Sequence, residues 1–388
     1  MRRSEERILT THAGSLPRPS DLSRLLIKTS LGQAVDRSEF DSVADAAIRD
    51  VIARQINARI DIGNDGEQRR LSFSRHLQDR LSGLGGGWQR PPRGDIEDFP
   101  LFKQMSKERT SALAVPDVLP QAIGEVHYVN SGHVHQECTD FLAALNAAEG
   151  RFVESFITAP SPGFLATTMQ NVYYDTEDAY LAALGTALQV EYEAITSHGL
   201  VLQLDCPEFG VEPGRLFRDR PIGEFLAFVE KIVETINQAV RNIPRDQIRM
   251  HVCWGNSHSP RNRDIPLETL LPIILQAKVG AIMLPFANGR HAHEFRALQK
   301  FPLQEDQIVI AGVIDTLTNV IEHPEVVADR LERIAAVVGD PRRIMAGTDC
   351  GLETSVGGSA VAPDVAWAKL TTLADGARLA SQRLFPNP

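Results

Sequence analysis

The feature that most constrains this chain is a repeated order: a helical stretch, then a short apolar run that ends in polar residues. Helical periodicity covers residues 41–59, 175–198, 222–240, 267–278, 293–300, 324–338 and 363–384. Apolar runs lie at 8–13, 60–67, 152–158, 200–205, 248–253, 281–284, 308–313 and 343–348. Strands alternating with helices of this length form parallel βαβ units. Eight of them predict an α/β chain closed into a (β/α)8 TIM barrel. A doubly wound open sheet is the alternative, but its Gly-x-Gly-x-x-Gly turn is missing after the first strand.

Length fits the barrel once one interruption is counted. At roughly 150 residues per domain, 388 residues would suggest two or three domains. Residues 71–150 break the rhythm, with loop signals at Gly83-Leu84-Gly85-Gly86-Gly87 and Pro91-Pro92-Arg93-Gly94. We read 1–388 as a single barrel domain and 71–150 as an insertion after the second strand. Residues 121–129 are expected to form one arm of a hairpin that turns at Ser131-Gly132.

Composition removes several function classes. The 40 basic residues are outnumbered by 50 acidic ones, and no basic stripe dominates, so nucleic acid is not an expected partner. No run of 18 apolar residues exists, which excludes a transmembrane helix. The N-terminal residues lack the apolar segment of a signal peptide. Four cysteines are too few for a disulfide framework, so the expected location is the cytoplasm. Self-association into a homo-oligomer is left open.

Few cysteines in a reducing compartment raise the question of which ones are metal ligands or nucleophiles. Catalytic groups of a parallel barrel sit at the C-terminal ends of its strands. Those ends carry Asn64-Asp65-Gly66-Glu67, Asp205, His251 with Cys253, residues 288–294, Asp315, and Asp349-Cys350. Residues i and i+2 of a strand face one side, so His251 and Cys253 converge. With Cys350 from another strand end they form a His/Cys/Cys set suited to Zn²⁺. Three protein ligands with one open position is the catalytic arrangement. The competing reading is a buried histidine with two core thiols. Thiolate ligands favour deprotonating an incoming thiol, and hence thiol alkylation, over making hydroxide.

Several motifs occur in order: His12-Ala13-Gly14-Ser15-Leu16-Pro17-Arg18-Pro19, Asn64-Asp65-Gly66-Glu67-Gln68, Leu204-Asp205-Cys206-Pro207, His251-Val252-Cys253-Trp254-Gly255-Asn256, Arg290-His291-Ala292-His293-Glu294 and Gly347-Thr348-Asp349-Cys350-Gly351. With them the chain resembles the cobalamin-independent methionine synthase superfamily over about residues 8–380, most closely its short single-barrel members. Epoxyalkane:coenzyme M transferase (2-hydroxypropyl-coenzyme M lyase) is a related member. The resemblance implies zinc on His251, Cys253 and Cys350. It implies that Ser15 contacts a thiol substrate and that Glu67 and Asp205 hold its ammonium. The activity it implies is methyl transfer from an alkyl donor to homocysteine. The alternatives are epoxide addition to a sulfonate thiol such as coenzyme M, or a zinc or organosulfur binder without turnover.

The chain departs from the family pattern in three ways. Pro285 stands where many members carry a glutamate ligand, so water, substrate or a residue such as Glu294 would complete the site. Leu317 stands where methionine synthases carry a proton-donating histidine, although Asp315 is kept as a catalytic candidate. The chain has room for one barrel where full-length methionine synthases have two. Arg290 is expected either to pair with Asp349 or to bind a substrate anion. Trp254 is expected to wall the alkyl donor.

Overall fold

The computed structural model describes residues 1–72, 75–110 and 118–385. Seven parallel strands form one sheet in chain order: β1 Ile62–Gly63, β2 Glu154–Pro160, β3 Val201–Asp205, β4 Ile248–His251, β5 Ala281–Pro285, β6 Ile308–Ile314 and β7 Ile344–Thr348. The sheet curls, and residues 9–11 stand between its two edges. Ala346 N–H donates to Leu9 O and Thr11 N–H to Ala346 O, both at 2.9 Å, while Ile62 N–H donates to Thr10 O at 3.0 Å. This is the eighth stave of an α/β barrel. It is reduced to a single bridge because the Asp61 carboxylate, not a strand carbonyl, takes the Thr10 N–H at 2.9 Å.

Strands β3 to β7 are buried along their full length, which explains their continuous apolar runs. Alternation divides their side chains between two cores. Leu9, Ile62, Phe156, Val201, Met283, Ile310 and Met345 pack inside the barrel. Leu202, Leu204, Met250, Ile282 and Val309 face the helices. The outer ring comprises α1 Arg37–Asn57, α2 Gly132–Ala147, α3 Glu177–Ser197, α4 Ile222–Ala239, α5 Leu267–Ile274, α6 Pro324–Val338 and α7 Pro363–Leu384. The helix expected at 293–300 is only a 3₁₀ turn, Glu294–Arg296, followed by one turn at Ala297–Lys300.

The expected hairpin is placed differently. Leu84–Trp88 pairs antiparallel with Leu119–Ala122, which pairs in parallel with Gln170–Asn171. Ser131-Gly132 is not its turn, because Ser131 immediately precedes α2. Val134, Cys138, Phe141 and Leu145 lie at helical spacing and are buried, and they dock α2 against α1 and α3. The chain additional to the βα repeat therefore lies before Gly132. No helix among the described residues is long and apolar enough to cross a membrane.

Candidate metal centre

Strand β4 ends at His251, and the chain then delivers Cys253; β7 ends at Thr348 and delivers Cys350. One ligand atom from each of His251, Cys253 and Cys350 lies within 4.8 Å of the other two. The two sulfurs are 3.9 Å apart. A tetrahedral zinc with bonds of about 2.3 Å to sulfur spaces two sulfurs by roughly 3.8 Å, so the donor set fits that ion. All three residues are buried.

The histidine is oriented from behind. Parallel register sets Asp205 of β3 beside His251 of β4. Asp205 Oδ1 lies 3.0 Å from His251 Nδ1 and accepts a second bond from Gln203 Nε2 at 2.7 Å. With Nδ1 on Asp205, Nε2, which lies 3.3 Å from Asp349 O, is the nitrogen that would ligate an ion. Burial works against a charged imidazole here. The Cys253 sulfur and Asp205 outweigh it and hold the His251 pKa well above its ordinary value. Cys253 is held well below the usual thiol range, first by a hydrogen bond from Cys350 and then, against burial, by His251 and the Gly255 amide. Its partner Cys350 is correspondingly raised.

The His251/Cys253/Cys350 cluster forms one wall of a cavity of about 190 Å³. Ser15, Glu67, Phe164, Asp205, Asn256 and Thr354 line it as well. Glu67 faces the cluster in an unusual state. Its φ is +56°, a left-handed backbone that side chains rarely adopt. Its Oε1 accepts from Thr158 Oγ1 at 2.8 Å, but its buried Oε2 has no hydrogen-bond partner among the described residues. Burial pushes its pKa to about 7 against the pull of Arg70. Two glycines make room here. A Cβ on Gly14, whose φ is +123°, would lie 2.8 Å from Glu67 Oε1. A Cβ on Gly351 would lie 2.0 Å from Ser15 Oγ.

The remaining sequence candidates lie elsewhere. Arg290 is exposed and forms no ion pair with Asp349 among the described residues. The Asp349 carboxylate instead accepts the Phe286, Ala287 and Asn288 amides at 3.1, 3.0 and 2.7 Å. Trp254 is buried; its Nε1 donates to Ile265 O at 3.1 Å, and its ring packs 4.5 Å from His291. It belongs to a small recess behind the cluster, with Pro285, Asp315 and Leu317. Asp315 Oδ1 caps the Leu317 amide at 2.9 Å. Glu294 is no fourth ligand, because its carboxylate bonds His291 Nδ1 at 2.9 Å and the Leu267 amide at 3.0 Å. Sequence reasoning passed over His291, which Asp264 holds on its other side at 3.0 Å. It also passed over Gln203, whose position two residues before Asp205 on one strand was the available signal.

With this geometry in place, residues 150–369 match the sequence model of the family described as "Cobalamin-independent synthase, Catalytic domain". The chain belongs to this family. A methionine synthase from Saccharolobus islandicus is 23% identical over 376 residues, covering 97% of this chain and 95% of that one. A 2-hydroxypropyl-CoM lyase from Xanthobacter autotrophicus is 24% identical over 151 residues, 32% of this chain and 40% of its own. Among solved structures, a B12-independent methionine synthase from Shewanella sp. W3-18-1, in complex with selenomethionine, superposes with a TM-score of 0.70 at 19% identity. It covers 97% of this chain and 99% of that chain. That likeness establishes the shared TIM-barrel-like fold. Within the family pattern, Pro285 closes β5 without offering a ligand, and Leu317 puts an apolar side chain beside Asp315.

Proposed function

We propose that the chain is a zinc-dependent thiol S-alkyltransferase that moves a methyl group onto homocysteine. The observation that carries this reading is that one cavity is lined both by a His251/Cys253/Cys350 donor set and by Glu67, whose Oε2 is unpartnered among the described residues. His251, Cys253 and Cys350 would hold zinc, which when bound makes an incoming thiol ionise at neutral pH.

The chain's own residues would do the rest. Asp205 fixes the His251 ring through Nδ1. Glu67 Oε2 accepts the substrate ammonium, and that cation offsets the burial that raises the Glu67 pKa. Ser15, against Gly351, positions the substrate beside Cys350. The substrate thiolate then attacks the methyl carbon of the donor. A sulfur–carbon bond forms as the donor bond breaks, and the donor group leaves with the bonding pair. The cavity lining contains carboxylates and, among the described residues, no lysine or arginine. That lining favours an amino-acid thiol over a sulfonate thiol, and so homocysteine over coenzyme M.

The test is transfer of a labelled methyl group to homocysteine by purified protein before and after zinc removal. Stripped protein should be inactive and regain activity with zinc. Equal activity in zinc-free protein would overturn the reading.

A further inference from the structure

Pro91-Pro92-Arg93-Gly94 has no part in the proposed transfer, yet the residues there are built into the molecule. Arg93 and Asp95 are both buried. Arg93 Nε and Nη2 donate to the two Asp95 oxygens, each at 3.0 Å. Asp95 Oδ2 also accepts from Ser259 Oγ at 2.8 Å and from the Arg261 amide at 3.2 Å. Arg93 Nη1 reaches Trp254 O at 3.4 Å and Ser257 Oγ at 3.3 Å. Arg261, at a φ of +55°, donates from Nη1 to Trp254 O at 2.8 Å. Its Nη2 donates to Gly255 O at 2.6 Å and Ser257 O at 3.1 Å.

Two guanidinium groups thus converge on one carbonyl, that of Trp254. This carbonyl and the Gly255 N–H belong to one peptide, and in a trans peptide they point in opposite directions. The held peptide comes directly after Cys253, whose sulfur lies 3.9 Å from that of Cys350. Gly255 has a φ of +80°, and a Cβ there would press on Val211 at 2.8 Å, so the turn is specific to glycine.

We infer that Arg93 and Asp95 are positioning residues for the candidate metal centre: with Arg261 they fix the Trp254–Gly255 peptide, and with it the turn that presents the Cys253 sulfur to His251 and Cys350. The inference rests on the zinc reading above. A ligand whose backbone is held from behind meets an ion without first being ordered, so loosening that hold weakens binding and alters the sulfur–metal geometry. The segment before α2 thereby positions a ligand delivered just after β4, far along the chain from it.

The test uses full-length protein with Arg93→Met, Arg93→Lys and Asp95→Asn. Zinc affinity is read by chelator competition, and the sulfur-to-metal charge-transfer band is read after cobalt(II) loading. Arg93→Met should weaken zinc by about 10–100-fold, as loss of an outer partner of a ligand does, and should shift the band. Arg93→Lys keeps the charge without the fork and should give a smaller change of the same sign. Should Arg93→Met fail to fold, the isosteric Asp95→Asn carries the test, with a band shift and an affinity loss of about 10-fold expected. Unchanged affinity and band in Arg93→Lys and Asp95→Asn would overturn the inference, as would a lowered Tm with neither readout moved. Wild-type protein that takes up neither metal would overturn the zinc reading itself.

Discussion

The two walls of the cavity are built on opposite terms. On the candidate metal wall the groups are already held: His251 by Asp205, Cys253 by the Cys350 thiol, and Asp349, next to Cys350, by three backbone amides. On the facing wall Glu67 sits on a left-handed backbone with one buried oxygen unpartnered. Buried polar groups are normally satisfied, so we read the orphan oxygen of this cavity-lining residue as a place for a ligand. On the proposed reading, one wall is pre-organised for an ion that stays, and the other is left incomplete for a molecule that comes and goes.

The comparison can be broken in order of effect. Cys350→Ser removes a ligand outright. It should weaken zinc by more than about 100-fold and abolish methyl transfer, as read by metal analysis and a labelled-methyl assay. Retained zinc would mean that the metal wall has been misassigned. Glu67→Gln touches only the other wall. Losing a charged hydrogen bond costs about 1.5–3 kcal/mol, so KM for homocysteine should rise by roughly 10–150-fold with zinc content intact. A loss of zinc in that variant would show that the walls are not independent.

Asp205→Asn sharpens the division, since Asp205 touches both sides. Its bond to His251 Nδ1 places it chiefly on the metal wall, so zinc affinity should fall by about 10–100-fold while the chain stays folded. The smallest effect expected is one of pH. Glu67 is protonated below about 7 in the empty site, because burial raises its pKa. Only its ionised form attracts an ammonium. Methionine, which has no thiol to titrate, should therefore bind several-fold more tightly as pH rises through about 7. The dependence should vanish in Glu67→Gln; calorimetric titration reads both. The same shift has a stability sign. Folding takes up a proton at Glu67 between the ordinary carboxylate value and about 7, so its contribution is full in acid and declines as pH rises through that window.

The sequence made the metal wall legible because its rule is local. Period two puts His251 and Cys253 on one side, and the barrel brings β7 with Cys350 round to them. Asp205 was recognisable as a strand-end carboxylate, but its partner follows from the β3–β4 register, which no local pattern encodes. The same limit applied to Arg290. A cation just past one strand end looked like a partner for Asp349 at another, whereas the turn after β5 satisfies that carboxylate with amides. In α2, the loop signals upstream drew attention away from an apolar spacing of 134, 138, 141 and 145 that was already helical. The eighth stave was found at 8–13, although Asp61 replaces part of its ladder. Nothing in the order of residues pointed to Arg93 gripping the Trp254 carbonyl, which is a contact between segments far apart in the chain.

The most direct test of the account is the zinc content of purified wild-type and Cys350→Ser protein, measured on the samples used for methyl transfer to homocysteine. The account predicts about one zinc per active wild-type chain. It predicts zinc-poor, inactive Cys350→Ser protein of unchanged fold by circular dichroism. Wild-type protein that transfers methyl groups without zinc, or a Cys350→Ser variant equal to it in both measures, would contradict it.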